Sequence, residues 1–222
     1  MVTISAAYGA GGALVAPRVA ERLGVAFVDR AIPAAVAAQL AEDPEDVLAV
    51  EGELSGGASH WLAFFAPMGA AWTGLPGPVV GPLDEEAYRR HVAAVLAEVA
   101  EHGAVILGRG AQVVLADHPR ALHVRLDGPV ERRVAQAADL LGIGLAEARR
   151  AQRQTDGARH RYVQRLHHVH LEDPRLYHLW LDATVLPLAT CVELVVAAAQ
   201  GCAALRALSE RLDRGGGRER PG

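Results

Sequence analysis

Ile4-Ser5-Ala6-Ala7-Tyr8-Gly9-Ala10-Gly11-Gly12-Ala13 joins a short β-type run, Met1 to Ser5, to a helix-type run, Ala13 to Leu23. A strand, a glycine-rich turn and a helix in this order make a cradle for phosphate. The glycines let the main chain approach an anion, and the N–H groups of the helix start point at it. The full form of such a loop is G-x-x-x-x-G-K-[ST], whose lysine reaches the outer phosphates and whose hydroxyl holds magnesium. Set against that pattern, Gly12 stands where the lysine belongs and Ala13 where the Ser/Thr belongs, and the first glycine position falls on Ala6. A tight turn with no ligand would use the same glycines. The place of this turn, after the first strand of a βαβ unit, favours phosphate.

Working outward, Leu14, Val15, Ala16, Val19, Ala20 and Leu23 fall on one helical stripe, and Gly24 ends that helix. Val25–Val28 reads as a second strand running into Asp29-Arg30, and Ile32–Leu40 as a helix with Pro33 in its first turn. This βαβα order predicts an α/β fold with a parallel sheet of about five strands flanked by helices. Glu42 to Pro82 breaks the regularity. It carries one apolar island, Trp61 to Phe65, and Trp72 among glycines and prolines. We read residues 42–83 as a flap, with the island as a cover for the site or as a contact for a partner or second copy. Asp84–His102 is a helix with a stripe of Val92, Val95, Leu96 and Val99, capped by Asp84. Ala104–Leu107 is a third strand that runs into Gly108-Arg109-Gly110, and Ala121–Leu126 is a fourth. Helices are expected at 111–116, 129–141 and 145–154, a fifth strand at 177–182 and a long helix at 188–212, interrupted near Gly201. The core is then 1–41, 84–142 and 176–212, the lid 143–175, and residues 213–222 a disordered tail.

Composition narrows the function. The 222 residues carry a net charge of −4, so nothing draws the chain in bulk to nucleic acid. All 22 basic residues are arginine, so no lysine elsewhere in this chain can replace the one the loop lacks. The two cysteines, Cys191 and Cys202, share one helical stretch and match no metal-binding spacing. We expect a reducing cytoplasm, no signal segment, and no apolar run long enough to cross a bilayer. His160, His167, His168, His170 and His178 cluster, but no cysteine or grouped carboxylate joins them as a zinc site would require. No metal site is expected there.

Arg109 directly follows a strand, at the carboxyl edge where parallel sheets bind ligands. It is either a substrate-phosphate ligand or a solvated loop residue. The run from Arg149 to Arg165 is either a solvated helix face or a lid, and Asp29 either caps a helix or faces the site.

Three stretches together resemble the cytidylate kinase-like family of the P-loop nucleoside monophosphate kinases. They are Tyr8-Gly9-Ala10-Gly11-Gly12 with Leu23-Gly24 and Asp29-Arg30; Val105 to Ala111 with Asp117-His118-Pro119; and Thr155 to Tyr162 with Asp173-Pro174 and Tyr177-His178-Leu179. They come in the family's order and span nearly the whole chain. The resemblance implies ATP held at Tyr8, Gly9, Ala10, Gly11, Gly12 and Ala13. It implies Mg2+, and a nucleotide acceptor at Asp29, Arg30 and Arg109. It also implies a lid carrying Asp156 and Tyr162, with Arg153, Arg159 and Arg161 as catalytic arginines. This branch already carries a lysine-free loop. Two departures are this chain's own: Ala6 where the branch has an arginine, and Gly157-Ala158 inside its Asp-Arg-x-Arg lid motif. Phosphoryl transfer is mostly positioning and charge neutralisation, and arginine forks suit it. The sequence therefore predicts an ATP-dependent kinase acting on a CMP-type monophosphate, or a nucleotide-binding regulatory module that has lost catalysis. Ser5 and Asp29 are the candidates in sequence to hold magnesium.

Overall fold

Strands that are apolar along their whole length, alternating with amphipathic helices, can bury themselves only as a parallel sheet between helical layers. The computed structural model describes residues 1–28, 90, 93, 96, 99, 102–108 and 110–215. Its strands are β1 Val2–Ala6, β2 Ala26–Val28, β3 Ala104–Leu107, β4 Leu122–Asp127 and β5 Leu179–Asp182. They form one sheet in the order β2-β3-β1-β4-β5, and every pairing is parallel. The helices are α1 Gly12–Leu23, α2 Ala111–Val114, α3 Val130–Leu141, α4 Leu145–His167 and α5 Leu188–Gly215. Arg90, Ala93, Leu96, Val99 and His102 are also helical, in the stretch before β3.

β1 is buried along its length at the centre of the sheet. Because side chains alternate across a strand, Val2, Ile4 and Ala6 join Leu122, Val124 and Leu126 of β4 on one face, under Val15, Val19, Val192 and Val195 of α1 and α5. Thr3 and Ser5 face the other way, in register with His123 and Arg125. On that second face Leu96 and Val99 pack on Ile106 and Ala111, as the stripe predicts. Removing each large apolar side chain from water contributes about 1.5–3 kcal/mol. That makes the all-apolar face the stronger anchor for the loop that leaves β1.

Three expectations change. The lid segment is one continuous helix through His167, well past Gln154, because Thr155, Tyr162, Val163 and Leu166 keep burying a face. The last helix passes Gly201 without a break and runs beyond Leu212 to Gly215. The expectation that no apolar run is long enough to cross a bilayer also fails on length and composition. Leu188–Leu205 is an 18-residue helical stretch of mean hydropathy 1.8. The physical reason is local. Cys191, Val192, Val195 and Val196 are buried against the sheet and α1, while the outer face carries Leu194, small residues and a single charge, Glu193. Residues 32–40, the flap and Trp61 to Phe65 lie outside the described residues.

Candidate functional site

The glycine loop leaves the carboxyl end of β1 at the point where the strand order diverges toward β3 on one side and β4 on the other. That is where ligands bind in open parallel sheets. Gly9 and Gly11 have φ of 78° and 72°, in the left-handed region that side chains avoid. Space forbids a side chain as well: a Cβ on Gly9 would lie 2.1 Å from the Arg133 carbonyl oxygen, and one on Gly11 2.5 Å from Leu188 Cδ2. Within the loop the Ala10 N–H is bonded to the Ala7 carbonyl at 3.1 Å, and Leu14 and Val15 both donate to the Gly11 carbonyl at 3.0 Å. Gly12 and Ala13 begin α1, so their N–H groups have no intrahelical acceptor. A partial positive charge collects there.

Side chains from α3 and α4 hold the loop's carbonyls. Arg159 Nη1 donates to Ala6 O at 2.9 Å, Arg133 Nη1 to Tyr8 O at 2.7 Å, and Gln136 Nε2 to Gly9 O at 2.8 Å. In a planar trans peptide the following N–H points the opposite way. With the Tyr8 carbonyl turned to Arg133, the Gly9 N–H therefore points away from α3. Two other loop donors are taken within the protein, the Ala10 N–H by the Ala7 carbonyl and the Tyr8 N–H by Asp156 Oδ1 of α4.

An ionic chain runs from the sheet into α4. Arg125 of β4 donates through Nη1 to Ser5 Oγ at 2.9 Å and through Nη2 to Asp127 Oδ2 at 2.7 Å, with its guanidinium carbon 5.8 Å from the centre of the Trp180 ring. Arg133 Nε lies 3.3 Å from Asp127 Oδ1, and Arg133 Nη1 lies 2.8 Å from Asp156 Oδ2. Arg159 comes within 3.8 Å of Asp156 Oδ1. Three guanidinium groups face two carboxylates, which leaves one net positive charge beside the loop. Burial raises the Asp156 carboxyl, but hydrogen bonds from Gln152, the Tyr8 N–H and Arg133 outweigh it and hold the group below its usual range.

The structure brings Asp156 and Arg159 to the loop. Arg153 and Arg161 lie on the exposed side of α4. Tyr162 is buried with Val163, Leu166 and Leu171 in a small cluster at the far end of the same helix. Asp29, Arg30 and Arg109 lie outside the described residues. The loop fits a nucleotide's phosphates through the N–H groups of Gly12 and Ala13 at the helix start, while its glycines let the main chain pack directly on Arg133, Leu188 and Ala6. For magnesium the fit is poor. Ser5 Oγ accepts from a guanidinium, and Asp127 and Asp156 are both neutralised by arginine, so none of these oxygens suits a divalent cation.

Sequence reasoning missed Arg133, Gln136, Arg125 and Asp127. One signal was available for Arg133. In α3 the stripe Val130, Val134, Ala137, Ala138 has Arg133 on its own face, and a charge inside an apolar stripe is buried only if it is bound.

Two solved structures share the fold. An uncharacterized protein from Eubacterium ventriosum ATCC 27560 is 15% identical, with TM-score 0.60, over 90% of this chain and 97% of that one. A gluconokinase from Sinorhizobium meliloti 1021 is 17% identical, with TM-score 0.50, over 94% and 96%. No curated protein sequence matches the chain. The sequence model of one family matches residues 1–185, from β1 through β5, taking in the glycine loop and the whole of α4. On that match the chain belongs to the cytidylate kinase-like family.

Proposed function

We propose that the chain is an ATP-dependent nucleotide kinase-like protein that moves the terminal phosphate of ATP to a nucleoside monophosphate of the CMP type. The observation that carries this reading is the glycine loop at the start of α1, tied back through its carbonyls, with the N–H groups of Gly12 and Ala13 at the helix start left for an anion. Of Tyr8 to Ala13, the residues that hold the donor phosphates through main-chain donors are Gly9, Gly11, Gly12 and Ala13, since the Tyr8 N–H goes to Asp156 and the Ala10 N–H to the Ala7 carbonyl. Asp29, Arg30 and Arg109 hold the acceptor. Arg159 is already at the loop, and Arg153 and Arg161 join it as α4 closes. Their forks spread the charge of the transferred group, a role that in arginine-assisted phosphoryl transfer changes rates by several orders of magnitude. ATP supplies the phosphoryl group. Any magnesium arrives with it, held mainly by phosphate oxygens. The two free cysteines suit a reducing cytoplasm.

A second reading, a nucleotide-binding regulatory module, is favoured by the neutralised state of Asp127 and Asp156. Neither carboxylate is left to hold a divalent cation at the phosphates.

Calorimetric titration with ATP–Mg and with CMP, on wild type and Arg109→Ala, tests the architecture, and turnover with a panel of monophosphates tests the chemistry. Binding of both ligands, loss of CMP alone in the variant, and turnover above background support the kinase. Binding with nucleotide unchanged after long incubation supports the module. Binding of neither ligand overturns both.

A further inference from the structure

Both main-chain polar groups of one loop residue, Tyr8, are held by a single ion pair. The Tyr8 N–H donates to Asp156 Oδ1 at 2.8 Å, and the Tyr8 carbonyl accepts from Arg133 Nη1 at 2.7 Å. The same Nη1 donates to Asp156 Oδ2 at 2.8 Å, which closes a ring of three hydrogen bonds. Each charged partner is itself fixed. Arg133 Nε donates to Gly128 O at 2.9 Å, and Gln152 Nε2 donates to Asp156 Oδ2 at 3.0 Å. Arg133 is 5% exposed, so solvent screens the pair weakly.

The place of the ring gives it a consequence for binding. The peptide between Tyr8 and Gly9 adjoins a glycine at φ 78°, the kind of residue about which a peptide turns over most easily. Turned over, the Gly9 N–H would point at α3 and a phosphate donor would be lost. We propose that Arg133 and Asp156 are positioning residues for the donor phosphates, which lock the Tyr8–Gly9 peptide in its anion-binding orientation in a loop that has no lysine to organise it. This rests on the reading of the loop as a phosphate site. Asp156 thereby acts on the loop's main chain, and its effect on nucleotide passes through Tyr8.

The test is titration with ATP and with inorganic pyrophosphate, and separately with CMP, well below each variant's melting temperature. The proteins are wild type, Arg133→Gln, Arg133→Lys, Asp156→Asn, the Arg133→Gln/Asp156→Asn double variant, and Val195→Ala as a destabilised control remote from the loop. Hydrogen bonds to charged groups contribute about 1.5–3 kcal/mol. The clamp therefore predicts a loss of about tenfold or more in ATP and pyrophosphate affinity for Arg133→Gln and Asp156→Asn, with CMP affinity held. Arg133→Lys keeps the charge without the fork and falls between. It also serves if Arg133→Gln does not fold. The double variant is no weaker than the weaker single, because one ring is broken either way. Val195→Ala loses melting temperature and keeps its affinities. Unchanged ATP affinity in Asp156→Asn and both Arg133 variants overturns the clamp. Tighter binding by Asp156→Asn also overturns it, since the carboxylate would then be occupying the anion's own place. If wild type binds neither ATP nor pyrophosphate, the phosphate-loop reading fails, and the clamp fails with it.

Discussion

A Cβ added at Gly12 would stand 2.4 Å from the Ala6 Cβ, a methyl that cannot swing aside. The full loop pattern has glycine at the first of these two places and lysine at the second. In this chain the two have traded bulk: alanine at the first, glycine at the second. The missing lysine and the missing first glycine are one steric fact. Gly12→Ala is therefore expected to cost about 1–3 kcal/mol through overpacking, and Ala6→Gly/Gly12→Ala to recover most of it. A double-mutant cycle on thermal melts reads this, and additive losses would sink it. His123 makes a second residue-scale case. Its ring is buried, with Nδ1 2.7 Å from Thr3 Oγ1 and the His178 ring stacked at 4.9 Å. Burial first, then the His178 and His118 charges, lower its pKa from 6.5 to about 4. In that window the unfolded chain takes up a proton that the folded chain refuses. Stability is full above about pH 6.5 and falls as pH drops toward 4. Melting temperature against pH should fall over that range and be flatter in His123→Asn. An equal slope in both proteins would assign the loss to other groups.

At the scale of elements, α4 and α5 each carry a glycine in mid-helix. A Cβ at Gly201 meets nothing within 4 Å, and one at Gly157 meets only the flexible Arg161 Nη1 at 3.3 Å. Glycine in a helix interior costs about 1 kcal/mol relative to alanine, so Gly201→Ala should raise the melting temperature by a few degrees and leave nucleotide binding alone. Gly157→Ala should stabilise similarly. Since Gly157 follows the carboxylate that holds the loop, turnover that falls while stability rises would show that α4 must flex there. The sequence exposed these elements unevenly. The glycine loop, its strand and its helix were readable because only glycine tolerates φ near 75° against neighbouring atoms. The parallel sheet followed from the βαβ rule, while the strand order did not. The braces behind the loop were not readable. Arg133 and Asp156 are 23 residues apart and meet only once α3 and α4 pack, and one arginine among 22 does not stand out. The extent of α4 was hidden because Gln152, Thr155 and Asp156 look like a solvated face, although Gln152 and Thr155 are buried and Gln152 donates to Asp156.

Across the whole molecule the sheet divides two kinds of work. One face, under α1 and α5, is apolar and holds β1 in place. The other carries Ser5, Arg125, Asp127, Arg133 and Asp156 in a connected chain from strand to α4. The apolar length of α5 invites a different reading, a membrane span, and packing separates the two. Val195 is fully buried against α1 and the sheet, whereas Leu194, one residue earlier on the same helix, is 40% exposed. Glu193 pairs with Arg22 of α1 from within the same apolar stretch. A core helix predicts an asymmetry that a span does not. Val195→Ala should cost about 2 kcal/mol, from lost transfer energy plus a residual cavity. For a chain of this size that is a drop of about 4–8 °C in melting temperature. Leu194→Ala should stay within about 0.5 kcal/mol of wild type. Thermal melts of the two variants in detergent-free buffer decide it. Equal effects, or a protein that stays folded only in detergent, would mean that the outer face of α5 has its own apolar partner and that the sheet is not what this helix was built to cover.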